Sequence, residues 1–166
     1  MAGRSRSIDR DRVLDAAEAL VTAAGAGALS FDAVAKAVGI TKGGAQDAFG
    51  TRDALIRAMI TRWGEADDAE VVERTGPDPS PQEMIRGHLE VTHDADDADH
   101  SRSAVIMTAL LQHPDQLSDT RDRYNARLTP LDLAEPDGRK LVLDFLAGKG
   151  AFLLKASGLI DLSEIQ

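Results

Sequence analysis

Three stretches of this chain hold side chains of the kinds that do chemistry. The first is ITKGGAQDAFGTRDAL, residues 40–55, which has the look of the second half of a helix-turn-helix. It offers a hydroxyl at Thr41, one lysine at Lys42, adjacent glycines at Gly43 and Gly44, then Gln46, Asp47 and Arg52. These are hydrogen-bonding and charge-pairing groups, suited to recognition rather than to bond breaking. The second stretch is HDADDADH, residues 93–100, where His93 with Asp97 and Asp96 with His100 stand at i, i+4, a spacing that can chelate a divalent metal on a helix. Aspartate disfavours helix interiors and the run lies between two well-marked helices, so a solvated loop is expected and no metal site is assigned. The third set is apolar: Met84, His88, Met107, Leu111, Tyr124, Phe145 and Phe152 fit the lining of an effector cavity, and equally a plain core. His88 and Tyr124 alone among them carry polar handles.

Other chemistries are excluded or unsupported. The chain has no cysteine, which removes disulfides, thiol catalysis and cysteine-based zinc sites. No nucleophile with a base at motif spacing, phosphate-cradling loop or paired-carboxylate motif is recognisable, so neither an enzyme nor a cofactor is expected. The opening MAGRSRSIDRDR lacks the apolar stretch of a secretory signal, and apolar runs such as AVIM at 104–107 are far too short to span a bilayer. A cytoplasmic protein with no membrane partner is expected.

The elements that must position these groups are helical throughout. Val13, Leu14, Ala17, Leu20, Val21 and Ala24 mark one face of a helix over about 8–24, stopped by Gly25 and Gly27. Ser30 caps a second, short helix with Asp32 in its first turn; Thr41 caps a third through Phe49; Thr51 caps a fourth that runs on to about Arg74. Three prolines within TGPDPSP, residues 75–81, break the chain. Ser80, Pro81 and Glu83 then open a fifth helix with a capping box, running to about Thr92. Val105, Ile106, Ala109 and Leu110 give a sixth, ended by Pro114; Leu117, Tyr124 and Leu128 a seventh; Leu141 through Leu153 an eighth, stopped by Gly158. No alternating pattern competes, so the fold class is all-α.

Charge divides along the same line. Residues 1–63 hold 9 Lys/Arg against 7 Asp/Glu, a net of +2, and residues 64–166 hold 10 against 21, a net of −11, so the formal total of −9 arises in the second segment. Only the first would not be repelled by a polyanion. Two domains are expected: 1–63, a three-helix helix-turn-helix domain, and 64–166, a helical bundle for ligand binding and dimerisation.

Within the first, Ala35 offers a small side chain at a helix crossing, Gly39 sits in the turn, and Val34, Val38, Ile40, Ala45 and Phe49 lock two helices together. The stretch RVLDAAEALVTAAGAGALSFDAVAKAVGITKGGAQDAFGTRDALIRAMI resembles the N-terminal DNA-binding region of TetR-family transcriptional regulators, with the A-K-A-V-G-I turn, the T-K-G start of the recognition helix, the closing phenylalanine and the T-R-D-A-L-I entry to the next helix. The match covers about residues 8–63; beyond it the likeness is in helical character and length. The resemblance implies a homodimer that places two recognition helices in successive major grooves of a palindromic operator, with a C-terminal domain that dimerises and binds a small effector, whose arrival releases the DNA.

On that resemblance the expected DNA-binding residues are Ser30, Thr41, Lys42, Gly43, Gly44, Gln46, Asp47 and Arg52. Thr41 would cap the reading helix and offer its hydroxyl or amide to a phosphate, and Lys42 would contact phosphate or guanine. Gly43 and Gly44 would let the backbone approach closely. Gln46 would pair with adenine and Asp47 accept from cytosine, with Arg4, Arg6, Arg10 and Arg12 as arm contacts. The family commonly has tyrosine, often followed by histidine, where this chain has Gln46 and Asp47, so the usual aromatic phosphate contact is absent. Leu141, Phe145, Lys149 and Phe152 on the last helix are the expected dimer interface, helped by small Gly148, Gly150 and Ala151. The rival expectation is a helical ligand- or metal-sensing protein that has lost specific DNA binding; an enzyme built on the acidic helical domain ranks below both.

Overall fold

The computed structural model describes residues 9–112 and 117–161, with helices as its only regular structure among them. Arg4, Arg6, Pro114 and the Leu111 side chain lie outside what is described. The chain divides into two compact units, Met1–Arg62 and Trp63–Gln166. No described helix is long and apolar enough to cross a membrane.

Every helix of the first unit starts on a side-chain cap. Asp9 Oδ1 accepts from the Asp11 amide at 3.1 Å and opens α1 (Arg10–Ala24). After a single 3-10 turn at Ala26–Ala28, Ser30 Oγ accepts from Ala33 at 3.2 Å and opens α2 (Phe31–Val38). Thr41 Oγ1 accepts from Gly44 at 3.0 Å and opens α3 (Lys42–Phe49), and Thr51 Oγ1 does the same for α4 (Arg52–Thr75) through Ala54 at 3.1 Å. Each cap satisfies at least one amide that has no partner within its own helix, Asp9 reaching the Arg12 amide as well, and is worth about 1 kcal/mol.

The turn between α2 and α3 is fixed by Gly39 in the left-handed region, φ 77° and ψ 36°, where its amide and that of Ile40 both donate to the Ala35 carbonyl. A side chain at 39 would be strained there. Apolar residues at helical spacing close the unit. Val13, Ala17 and Val21 from α1, Val34 and Ala35 from α2, Ala45 and Phe49 from α3, and Leu55, Ile56 and Met59 from α4 are buried. Arg62 adds a polar clasp, with Nη1 2.9 Å from Asp15 and Nη2 2.7 Å from Glu18.

The second unit contains the C-terminal part of α4, then α5 (Pro81–His93), α6 (Asp97–Gln112), α7 (Leu117–Leu128) and α8 (Pro136–Ala156). The capping box of α5 is complete: Ser80 Oγ accepts from the Glu83 amide and the Glu83 carboxylate accepts from the Ser80 amide at 2.8 Å. The Ser80 hydroxyl, donating to that carboxylate at 2.7 Å, and then the Ser80 amide hold the Glu83 carboxyl below its usual range. Ile85, Leu131, Leu141 and Phe145 form the core, with Leu89, Leu128 and Val142 packed against it. Gly87 on α5 permits a close approach to α4, since a Cβ there would lie 2.5 Å from Thr75 Cγ2 and 3.1 Å from Val71 Cγ1.

The expected loop over 93–100 is mostly helix. α5 extends to His93, only 94–96 are irregular, and α6 begins at Asp97. Low helix propensity misled the reading, because aspartate is unfavourable inside a helix and favourable at its start. Asp96 Oδ1 accepts from the Asp99 amide at 2.9 Å while Asp99 Oδ2 accepts from the Asp96 amide at 3.0 Å, a reciprocal cap made of two aspartates. Asp96 and His100 of one i, i+4 pair are taken up by local contacts. His100 Nδ1 lies 2.5 Å from the Asp96 carbonyl, and its ring stacks on Phe152 with centroids 4.7 Å apart.

Candidate nucleic-acid interface and inner polar cluster

The outward face of α3 follows from what its inward face must do. Ala45 is fully buried and Phe49 is nearly so. At 100° per residue, 43 and 47 fall on the opposite side with 46 flanking them, while 42, the first residue of the helix, lies on the same side as 45 and 49; Lys42, Gly43, Gln46 and Asp47 are all exposed. Nothing lies within 4 Å of the position a Gly43 Cβ would take. The Thr41 hydroxyl is already accepting from Gly44, so its oxygen serves the cap while its hydrogen stays available.

Lys42 is not idle in this state. Its Nζ stands 2.8 Å from Asp32 Oδ2, with both side chains more than half exposed. Ser30 is exposed and committed to capping α2. Arg52 is half-buried and donates from Nε to the Leu29 carbonyl at 3.0 Å, which ties the start of α4 to the segment before α2. Arg10 likewise has a structural bond: its Nη1 donates to the Ala48 carbonyl and its guanidinium lies 4.2 Å over the Phe49 ring. Arg12 is exposed at the start of α1. The ties of Lys42, Arg10 and Arg52 join groups distant in sequence, with no periodic pattern to announce them.

The second unit places some of the expected effector residues together. His88, 1% exposed, meets the Phe145 ring edge-on at 6.3 Å, and Tyr124 meets the same ring at 6.1 Å. Lys149 Nζ lies 5.9 Å from the Phe145 centroid and 5.8 Å from that of Phe152. Met84 is half-buried, while Met107 and Tyr124 are each 37% exposed. Leu141 and Phe145 are enclosed by their own chain, so the surface that α8 offers comes from other residues. Leu143, Leu146 and Leu154 are those residues, 66%, 55% and 44% exposed on the far side of the helix.

A charged group not anticipated in the sequence surrounds His88. Asp67 and Asp68 of α4 face it, and Arg127 of α7 bridges the two carboxylates at 3.3 Å and 2.5 Å while itself only 8% exposed. Arg123 Nη1 adds a contact to Asp68 at 3.4 Å. Burial, and then the positive charge of Arg127, push the His88 imidazole down to about 4 against the pull of Asp67, so the ring is neutral at pH 7. Burial also raises the Tyr124 hydroxyl and lowers the Lys149 amine.

Residues 13–59 match the model of bacterial regulatory proteins of the tetR family, and residues 82–166 match that of the Tetracyclin repressor-like C-terminal domain. Solved structures share the fold. A Streptomyces coelicolor protein assigned as a transcriptional regulator is 19% identical, over 89% of this chain and 86% of its own, with a TM-score of 0.69. GusR of Salmonella enterica is 19% identical over 93% and 88%, with a TM-score of 0.62. The multidrug binding protein EbrR, solved with malachite green, is 21% identical over 92% and 87%, with a TM-score of 0.61. No curated protein matches the chain.

Proposed function

Because this chain belongs to the TetR family of bacterial transcriptional regulators, we propose that it is a ligand-responsive repressor that binds a palindromic operator as a homodimer and is released by a small effector. The observation that carries the reading is the exposure of Gly43, Gln46 and Asp47 on the side of α3 away from the buried Ala45 and Phe49, with Lys42 exposed at the first residue of the helix. Lys42 contacts a phosphate or a guanine, Gln46 reads adenine and Asp47 accepts from cytosine, each base contact contributing about 1–3 kcal/mol of discrimination. Thr41 presents its hydroxyl hydrogen or its amide to a phosphate at the N-terminus of α3. Arg12 and Arg52 supply further backbone contacts.

The homodimer forms through the exposed leucines of α8. Leu143, Leu146 and Leu154 fall at i, i+3 and i+11 with Gly150 between them, an apolar stripe of the kind a two-fold helix pair buries. Residues 1–63 read the DNA and 64–166 dimerise and bind the effector. His88, Tyr124, Phe145 and Phe152 are its contacts, as an aromatic-lined interior suits a flat organic ligand; EbrR is a multidrug binding protein seen with malachite green.

Fluorescence anisotropy on the chain's own upstream DNA, across a salt series, tests the proposal. Specific binding that weakens steeply with salt supports it. Absence of any sequence preference at every salt overturns it and leaves a sensing protein without a DNA partner. Leu146→Asp, read by light scattering, yields a monomer that binds the operator at least tenfold more weakly; an unchanged dimer refutes the α8 interface.

A further inference from the structure

His88 is only 1% exposed, and among the described residues neither ring nitrogen has a hydrogen-bond partner. A buried imidazole without partners is costly, and such a group calls for an explanation. Its Nδ1 lies 3.5 Å from Asp67 Oδ2, and a ligand atom from each of Asp67, Asp68 and His88 falls within 4.8 Å of the others. Around a single ion held at about 2.1 Å, neighbouring ligand atoms stand roughly 3.0–3.4 Å apart. His88 and Asp67, at 3.5 Å, are close to that spacing. Asp68, within 4.8 Å of both, has a half-exposed carboxylate that can close the remainder by rotation.

We propose that Asp67, Asp68 and His88 form a binding site for a divalent first-row transition metal of the zinc class, with Arg127 acting as an internal stand-in for the cation. Two carboxylates and one imidazole, without thiolate, suit an intermediate ion such as zinc or cobalt and leave open positions for water. Arg127 touches both carboxylates and, together with Arg123 on Asp68, balances their charge when no metal is present, but it cannot satisfy His88, since it has only hydrogens to donate to a ring it does not contact. A metal ion coordinates both carboxylates and gives His88 Nδ1 the partner it lacks, with the imidazole proton kept on Nε2. The displaced guanidinium has a second seat, because its Cζ already lies 5.5 Å from the Tyr124 ring centroid. The site draws on α4, α5 and α7, so one ion would tie three helices of the second unit together. This inference stands apart from the DNA-reading proposal.

The test uses tag-free full-length protein, stripped with chelator and titrated without DNA. Zinc is followed by calorimetry and cobalt by its visible absorption. Wild type takes up one ion per chain and gives a cobalt band of nitrogen–oxygen coordination. Asp68→Asn weakens uptake at least tenfold, His88→Gln abolishes the band, and Arg127→Gln tightens binding because the competing cation is gone. A structural ion-pair network alone gives no stoichiometric uptake. His93→Gln and His100→Gln leave uptake unchanged. The inference is overturned by an absence of stoichiometric uptake, by weaker binding in a folded Arg127→Gln variant, or by loss of uptake in the His93 or His100 variant with retention in Asp68→Asn. Should Arg127→Gln fail to fold, the Asp68→Asn comparison, made at a half-exposed side chain, decides alone. Because no DNA is present, failure here is distinct from failure of operator binding.

Discussion

Lys42 cannot reach a phosphate without leaving Asp32, and that exchange sets a measurable quantity. The two groups are 2.8 Å apart but 59% and 69% exposed, so solvent and salt screen the pair and it is worth only about 0.2–1 kcal/mol. Removing the carboxylate by Asp32→Asn returns that energy to DNA binding, a gain of up to about fivefold per reading head and about 25-fold for a dimer with two equal heads. Lys42→Ala works in the other direction. It removes one phosphate contact per head, weakening binding to all sequences and lowering the log–log salt slope by about 0.9 per head. The double variant separates a released lysine from a general change in charge. If Asp32 acts through Lys42, Asp32→Asn adds almost nothing in the Lys42→Ala background. Anisotropy at three or more salt concentrations reads all four proteins, with melting temperatures checking that α2 keeps its first turn. An equal gain in both backgrounds, or no gain in either, would refute the reasoning.

Other expectations follow from packing and caps. Gly138→Ala should destabilise the second unit by about 1–3 kcal/mol or more, read by denaturant unfolding, because the added Cβ would lie 2.0 Å from the Asp132 carbonyl oxygen, a backbone atom that cannot turn aside. Ser30→Ala should cost about 1 kcal/mol through loss of the α2 cap, whereas Ser30→Asp should keep most of it; equal melting temperatures for the two would contradict the cap. Gln46→Ala should relax preference at one base pair with little change in salt slope, whereas a uniform loss across sequences would assign Gln46 to the backbone.

Much of this fold was legible in the sequence because its signals are local. Ser30, Thr41 and Ser80 each precede an apolar helical pattern, and Gly39 stands where the chain turns; such punctuation needs no knowledge of distant partners. The exposed Gln46 and Asp47 were legible for the same reason, since Ala45 and Phe49 fix which way α3 faces. Asp96, Asp97 and Asp99 escape a propensity argument because one residue type opposes helix within an element and favours it at the start. Helix α8 defeated periodicity differently. With apolar residues on both faces, it gives Leu141 and Phe145 no precedence over Leu143 and Leu146 as core, and only packing decides. Asp67, Asp68 and Arg127 look in sequence like ordinary solvated helix faces. Their meeting at His88 depends on three helices whose separation in sequence no local pattern encodes.

Gly43 carries a consequence in terms of hydrogen exchange. Its backbone does not need glycine: it lies within α3, its φ is not positive, and a methyl group there would meet none of the described residues beyond its own helix. A glycine inside a helix forgoes about 1 kcal/mol relative to alanine, and α3 has only eight residues to absorb it. The free chain therefore protects the amides of α3 less than those of α1, and filling that empty space with Gly43→Ala slows their exchange by about fivefold where local opening governs it. The same variant would show whether the missing methyl serves a surface brought from outside: protection would rise while operator affinity fell, and the helix would be quieter and less able to read.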